Sequence, residues 1–187
     1  MGMFHQLTRS SAVSALPRMR PRYVCGLRDL FLHQVGRLYN PSKTEILRME
    51  DNRTIVRRFI EETINQGRMD VAVQFVWEDV LEQVPFPGQG PGLEGLKDVL
   101  RGMRAAFPDL HFFVEEQIAE GDKVLTRFEW TGTHRGEFLG VPATGRSVRV
   151  WGMVIDRLQA GRIKDTRIIM DALGLMMQLG VFPPPKA

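Results

Sequence analysis

The chain contains one cysteine, two tyrosines and four histidines among its 187 residues, so several kinds of chemistry lack their usual side chains. The single cysteine, Cys25, excludes an internal disulfide framework. The histidines show no metal-ligand spacing, and no HExxH, CxxC or GxxxxGKS/T motif is present. Gly88, Gly90 and Gly92 do not follow a clear strand, so they do not form a dinucleotide fingerprint. We therefore expect neither a metal ion nor a cofactor.

Long apolar runs and a concentrated basic face are also missing from the body of the chain. No run reaches about 18 uninterrupted apolar residues, the length that a membrane-spanning helix needs. Residues 1–40 hold six arginines and one acid, Asp29, whereas the remaining residues carry 19 basic and 21 acidic side chains. The body lacks the positive charge that phosphate binding requires. We expect no membrane and no nucleic-acid partner.

The charge distribution divides the chain into a basic N-terminal extension, residues 1–45, and a single globular domain, residues 46–187. The extension is rich in Arg, Ser and Ala, as organelle transit peptides are. Because Pro17 and Pro21 interrupt any long amphipathic helix, a disordered tail or a mis-assigned start codon remains an alternative. We expect a soluble intracellular protein, cytoplasmic or, if the extension is a transit peptide, organellar.

Hydrophobic periodicity predicts three helices followed by four long strands and a short final helix. Apolar residues recur at helical spacing in three segments, 52–67, 69–76 and 93–107. The pattern then alternates, with hairpin turns at Gly121-Asp122 and near Ala160-Gly161. This order indicates an α+β domain in which a curved antiparallel sheet wraps around helices and forms a cone with one buried pocket.

One carboxylate, Asp171, lies where the last predicted strand meets the final helix, between the apolar segments 168–170 and 172–173. It is either the N-cap of that helix, a favoured role for Asp, or a general acid or base at the floor of the pocket. Strand alternation puts Asp165 and Arg167 on the same face as Asp171, which makes both of them pocket candidates. The residues alone leave the two roles of Asp171 open.

His134 follows a predicted strand at the edge of an apolar loop. It either hydrogen-bonds a substrate carbonyl or shares a proton with Asp171, or else it pins the loop backbone.

Aromatic residues are candidates for the walls of the pocket, with core packing as the alternative. Phe128 and Trp130 share one face of a predicted strand, and Trp151 lies on the next strand. Trp77 and Glu82 belong to the short segment WEDVLEQV and are further pocket candidates, although a solvated loop is the alternative for Glu82.

The chain resembles the SnoaL-like polyketide cyclases of the nuclear transport factor 2-like superfamily over about residues 52–182. The segments that carry the resemblance are NRTIVRRFIEETINQGRMD, GLEGLKDVLRGMRAAFPDL, EEQIAEGDKV, TGTHRGEFLGVPATGR, RLQAGRIKD and DALGLMMQLG. It implies a cone-shaped α+β barrel and an intramolecular aldol closure of a carbonyl-rich small molecule, without metal or cofactor. It also implies that Asp171 is the acid/base group. Beside it, we expect His134 and Arg167 to act as polarising or positioning groups.

Two departures separate this chain from the family pattern. Family members commonly carry Trp at the position of Arg167, and often a His near Glu82. A non-catalytic ligand-binding or interaction module on the same fold is therefore the alternative function. The resemblance further implies a homodimer, which we expect to form through an exposed sheet face bearing Val148, Val150 and Val154.

Overall fold

The computed structural model describes residues 52–183. The predicted boundary between residues 45 and 46, and the predicted targeting or disorder of the extension, lie outside the described residues. Within 52–183, none of the helices combines the length and the apolar character that crossing a bilayer requires.

The domain begins with helices and continues with a sheet. Helix α1 occupies residues 52–65, of which Phe59–Asn65 is π-helical. The elements that follow are α2 (Ala72–Phe75), β1 (Val76–Glu82), α3 (Gly92–Ala106), β2 (His111–Glu120), β3 (Lys123–Thr133), β4 (Ser147–Gln159), β5 (Arg162–Met170) and α4 (Ala172–Leu179).

The five strands form one mixed sheet in the order β1-β5-β4-β3-β2. Strands β2, β3, β4 and β5 pair antiparallel, while β1 pairs parallel with β5. Both predicted hairpins are present, and their turns place Gly121 at φ 60° and Gly161 at φ 75°, backbone that glycine adopts without steric cost. The α+β prediction is confirmed.

Strand β1 is not one of the four long strands that the periodicity predicts, and the second predicted helix, 69–76, is mostly wrong. Only Ala72–Phe75 is helical, and the chain passes straight into β1 at Val76. Its apolar and polar residues do not alternate regularly, because its burial pattern is irregular and its register shifts between Val76 and Leu81. Its partner, β5, lies about 85 residues later in the chain, so no local signal announces the pairing.

The inner face of β4 is the opposite of the one expected. Val148 and Val150 are 3% and 1% exposed, and Val154 is partly buried, so the prediction that they form an exposed apolar patch is wrong. Trp151 and Met153 occupy the outer face instead, at 47% and 36% exposure. Because strand side chains alternate, choosing the wrong face exchanges every inner residue for an outer one.

A single glycine allows the sheet to close over its core at β4. A Cβ on Gly152 would lie 2.5 Å from Cζ of Phe128 and 2.8 Å from the backbone oxygen of Ile169. The Phe128 ring therefore lies across the backbone of β4, in space that any larger residue would fill. Helices α1 and α3 cover this concave side of the sheet, and the enclosed space between them is the cavity described next.

Candidate functional site

A cavity of about 90 Å³ lies between the two long helices and the inner face of the sheet. Its walls are predominantly apolar and come from α1, α3 and all five strands. The side chains that bring polar atoms to this lining are Glu82, Gln89, Asp156 and Thr166. A mostly apolar cavity with a few convergent polar groups is the usual form of a small-molecule site.

Three of these polar residues form one row across three neighbouring strands. Asp156 of β4 is directly opposite Thr166 of β5, and Thr166 is in turn opposite Glu82 of β1. Strands are spaced about 4.8 Å apart, so the Cα atoms of the two acids are about 10 Å apart. The Thr166 side chain stands between the two carboxyl groups.

Asp156 is the most perturbed acid of the row. It is 5% exposed, and burial raises the pKa of its carboxyl from 3.8 to about 7, because a carboxylate removed from water loses its hydration. The hydrogen bond with the Thr166 side chain favours the ionised form and opposes this rise, while the negative charges of Glu82 and Asp165 add to it. Asp156 therefore exchanges its proton near neutral pH.

Glu82 is half-buried, and burial also raises the pKa of its carboxyl. Backbone N–H groups oppose that rise by binding the ionised form; the N–H of Val84 donates to Oε1 at 3.1 Å. Glu82 therefore has a fixed orientation at the end of β1, beside the cavity that Asp156 also lines. Two acids lie in one apolar cavity, and the pKa of one of them, Asp156, is close to neutral pH. Such a pair can take up and release a proton at working pH.

Asp171 acts as the N-cap of α4. Its Oδ1 accepts a hydrogen bond from the backbone N–H of Gly174 at 2.7 Å, which satisfies one of the free donors of the first turn. A Cβ on Gly174 would lie 2.1 Å from Oδ2 of Asp171, so the glycine makes room for the carboxylate. This carboxylate lies outside the cavity lining.

His134 is fully buried and holds the loop between β3 and β4. Its backbone N–H donates to the carbonyl of Arg146 at 2.8 Å, and its carbonyl accepts from Gly145 at 2.9 Å. The ring stacks on Phe107 at 5.1 Å, and Nδ1 lies 3.1 Å from Oγ1 of Thr144. These contacts match the loop-pinning alternative, and they leave His134 outside the cavity lining.

The predicted aromatic walls separate into inner and outer residues. Phe128 lines the cavity. Trp130 shares its strand face but is 0% exposed and packs edge-on against Phe107 in the core. Trp151 lies on the outer face, so its placement in the pocket wall is wrong. Trp77 is outside the cavity as well, where its Nε1 donates to the carbonyl of Gln159 and the Arg162 guanidinium lies 3.5 Å above its ring.

The remaining predicted pocket residues of β5 belong to its outer face. Asp165 pairs with Arg157 and accepts a hydrogen bond from Nε2 of Gln83 at 3.0 Å. Arg167 is exposed and lies opposite Ile155. The shared face of Asp165 and Arg167 was predicted correctly, but that face points away from the cavity, because Thr166 and Ile168 point into it.

Asp156 and Thr166 are the cavity residues that the sequence analysis missed. The signal was present in β4, where Val148, Val150, Gly152, Val154, Asp156 and Leu158 occupy alternate positions. An acid within an otherwise apolar alternating series is an exception to ordinary burial preferences, and it points to a functional group.

Within residues 52–183, no three His, Cys, Asp or Glu side chains lie close enough together to hold a metal ion.

Comparison with known proteins places this geometry among related sequences and structures. Residues 54–179 match the sequence profile of the family described as SnoaL-like polyketide cyclase. Two aklanonic acid methyl ester cyclases, DnrD of Streptomyces peucetius and DauD of Streptomyces sp. (strain C5), are each 30% identical to this chain over 136 residues. These matches cover 71% of this chain, 93% of DnrD and 84% of DauD. The solved structure of TsrD from Streptomyces laurentii superposes with a TM-score of 0.66 at 26% identity, over 71% of this chain and 97% of TsrD.

Proposed function

The chain belongs to the SnoaL-like polyketide cyclase family, and from that premise we propose that it catalyses a cofactor-free, acid/base ring closure of a carbonyl-rich, largely apolar small molecule. The observation that carries the proposal is the row of Asp156, Thr166 and Glu82 in an apolar cavity. We assign the proton transfer to Asp156, because its carboxyl lies in the cavity with a pKa of about 7.

The proposed reaction is an aldol closure within one molecule. The Asp156 carboxylate removes a proton from a carbon that lies between two carbonyl groups. The resulting enolate carbon attacks a ketone carbon of the same molecule, which forms the ring bond and leaves an alkoxide. Asp156, now protonated, gives its proton to that alkoxide, so the carboxylate is restored. A group whose pKa is close to working pH suits both halves of this cycle.

The other cavity groups support this role by position. The Thr166 side chain hydrogen-bonds to Asp156 and orients the carboxylate toward the interior. Glu82 contributes a negative charge that raises the pKa of Asp156 and makes it a stronger base. The apolar walls exclude water, which strengthens these electrostatic interactions.

The experiment compares Asp156→Asn with Asp171→Asn, since the family resemblance points to the second residue and the cavity to the first. Both changes keep the shape and remove the base. We would follow cyclisation of aklanonic acid methyl ester and of simpler β-keto esters by chromatography. For Asp156→Asn we expect a loss of about 10²–10⁴-fold in kcat, and for Asp171→Asn a change within about threefold, because Asn caps helices as well as Asp does. The reverse result would return the acid/base role to Asp171.

The pH profile of the wild type gives a second, independent reading. The first step needs the ionised carboxylate, so kcat/KM should rise as the pH passes through about 7. The residual kcat/KM of Asp156→Asn should not show this rise. A profile that is flat between pH 5 and 9, or that falls through 7, would contradict a base of this kind.

The second candidate is a non-catalytic binding module, favoured by one observation: the Asp171 carboxylate is occupied as a helix cap. In that case ligand affinity would be the same in the wild type and in Asp156→Asn. Neither aklanonic acid methyl ester nor the simpler β-keto esters would be converted.

We also propose that the protein is a homodimer. Its outer sheet face carries Trp151, Met153 and Ile169, the last of which is 69% exposed, and cross-strand pairing puts Met153 beside Ile169. Apolar side chains grouped on one open sheet face are typical of a surface that a partner covers.

A further inference from the structure

The cavity at Asp156 is too small for the ligand that the proposed function requires. Its volume is about 90 Å³, whereas sites for drug-sized ligands measure about 300–1,000 Å³. A molecule large enough to fold back on itself and close a ring therefore needs more space than the cavity provides. The neighbouring surface offers that space in two clefts.

Both clefts border the cavity at the loop between β1 and α3. The first cleft, about 300 Å³, lies along α3 and the glycine-rich part of the loop, residues 86–90. The second, about 240 Å³, is here called the apolar cleft; it is lined by residues 84–87 and 138–139, by the end of β5 and by α4. Its α4 and β5 lining residues include Ile168, Met170, Leu175 and Met176.

One side chain borders all three spaces. Phe86 lines the cavity, the first cleft and the apolar cleft. Ile168 and Met170 also line both the cavity and the apolar cleft, so the two spaces adjoin at the end of β5, with Phe86 at their boundary. Displacement of the Phe86 ring would join them into a space within the size range of a polycyclic ligand.

The Phe86 side chain packs against the core, while its backbone is held by a turn whose hydrogen bonds are local. Its backbone N–H donates to Oε1 of Gln89 at 2.9 Å, and its carbonyl accepts from the backbone N–H of Gln89 at 2.9 Å. Both bonds close within the same four residues. The far side of the loop is fixed, because a Cβ on Gly95 would lie 1.8 Å from the Gly90 oxygen. The loop is therefore fixed where Gly90 contacts Gly95, and around Phe86 it is held by hydrogen bonds within the turn alone. Loops of this kind serve as lids in many binding sites.

The opposite wall of the apolar cleft holds a leucine in uncommon backbone geometry. Leu139 has a φ of 51° and is 51% exposed, in a tight turn closed by reciprocal hydrogen bonds between Phe138 and Val141 at 3.0 and 2.9 Å. A branched residue with positive φ costs about 1–3 kcal/mol and is concentrated at functional sites. The turn presents an apolar side chain to the cleft in spite of that strain.

We propose that Phe86 is a gate between the cavity and the apolar cleft, and that the substrate binds across it. Resting on the proposed function, this inference places the reacting carbonyl groups at Asp156 and the remote, apolar rings of the substrate against Leu139 in the cleft. The matching substrate is elongated and apolar, because the apolar cleft continues a mostly apolar cavity. It carries no negative charge, because the described cavity lining contains two carboxyl groups and no basic side chain. Phe86 and Leu139 then determine how large a substrate is accepted.

The test uses Nile red, a neutral polycyclic dye whose fluorescence rises in apolar surroundings, with stopped-flow and equilibrium titration of the full chain. Phe86→Ala should raise the association rate constant by about tenfold, because closed gates slow association. Gln89→Ala should raise it as well, although it leaves the ring in place, and this variant carries the test if Phe86→Ala fails to fold. Phe113→Ala, which removes an exposed ring from β2, is the matched control and should have no effect.

Occupation of the cleft is tested through affinity. Leu139→Ala should weaken dye binding by about tenfold, because a binding site that lacks one apolar group holds its ligand less tightly by about that factor. Leu173→Ala removes another exposed leucine, one of α4 that lies outside the cleft, and should leave affinity unchanged. Association rates within twofold of wild type in both gate variants, or equal affinities in the two leucine variants, would overturn the proposal. Dye binding involves no proton transfer, so loss of the proposed catalytic role of Asp156 would leave these results unaffected, and the reverse also holds.

Discussion

The raised pKa of Asp156 predicts that this one carboxyl lowers the free energy of unfolding at neutral pH relative to acid pH, and that Asp156→Asn removes this contribution. Between the ordinary carboxyl pKa of 3.8 and the value of about 7 in the fold, each pH unit corresponds to about 1.4 kcal/mol, so ionised Asp156 destabilises the native state by about 4 kcal/mol. Small domains are stable by about 5–15 kcal/mol in total. One side chain therefore removes a large part of the stability of this domain.

The direction in which the free energy of unfolding changes with pH depends on whether the folded or the unfolded chain binds the Asp156 proton more tightly. Below pH 4 both the folded and the unfolded chain carry protonated Asp156, and the carboxyl makes no contribution. Between pH 4 and 7 the unfolded chain loses the proton while the folded chain keeps it, so the free energy of unfolding falls as the pH rises. Above 7 both are ionised and the full loss persists. Asparagine resembles the protonated acid in shape and hydrogen bonding and does not titrate, so its curve lacks this slope.

The measurement is urea denaturation of the wild type and of Asp156→Asn at intervals from pH 4 to 8. The stability of the variant relative to the wild type should increase steadily up to about pH 7 and then stay constant. Titrating groups that do not interact with Asp156 cancel in the difference. Asp70→Asn, at an exposed turn, is the matched control and should give a flat difference. A flat difference for Asp156→Asn, or one that favours the wild type as the pH rises, would show that the carboxyl is not held in its neutral form and would remove the physical basis for the catalytic role proposed for it.

Three further predictions concern other parts of the domain. Asp171→Ala should lower stability by about 0.5–2 kcal/mol in thermal denaturation, and Asp171→Asn should not; equal losses in both would contradict the capping role. Gly152→Ala places a methyl group against Phe128 and should cost about 1–3 kcal/mol, with weaker dye binding as the ring moves into the cavity; unchanged binding would argue against that packing. Replacing Trp151 and Ile169 together by Asp should convert a dimer to a monomer in light scattering at micromolar concentration, and a monomeric wild type would refute the proposed interface.

The sequence predicted the elements of this fold better than their orientation. Alternation identified β4 as a strand but did not indicate which of its two faces is buried. The aromatic residue Trp151 suggested that its own face of β4 is the buried one. The buried face is instead that of Gly152, whose lack of a side chain leaves room for the Phe128 ring. That close approach joins residues of two different strands, so it cannot be read from the period of either strand alone.

The candidate site depends on pairing that is equally non-local. Asp171 was singled out because its neighbours in the sequence are apolar, but its own side chain bonds to the backbone three residues later. Asp156 gains Thr166 and Glu82 as neighbours only when β5 pairs with β4 and β1 pairs with β5. The family resemblance predicted the correct fold, since the order and pattern of the elements are enough to specify it, whereas the site depends on particular side chains.

Strand β1 forms one margin of the sheet, held on a single side by a parallel pairing whose register is interrupted, and it carries Glu82. The margin of a sheet is where a domain opens first, at a free energy well below that of global unfolding. On warming, the row of Glu82, Thr166 and Asp156 should therefore come apart while β3 and β4 remain paired, and loss of the proposed activity should precede loss of the fold. The temperature up to which the candidate site stays assembled should then depend on the pairing of the seven residues of β1 with β5 rather than on the packing of the core.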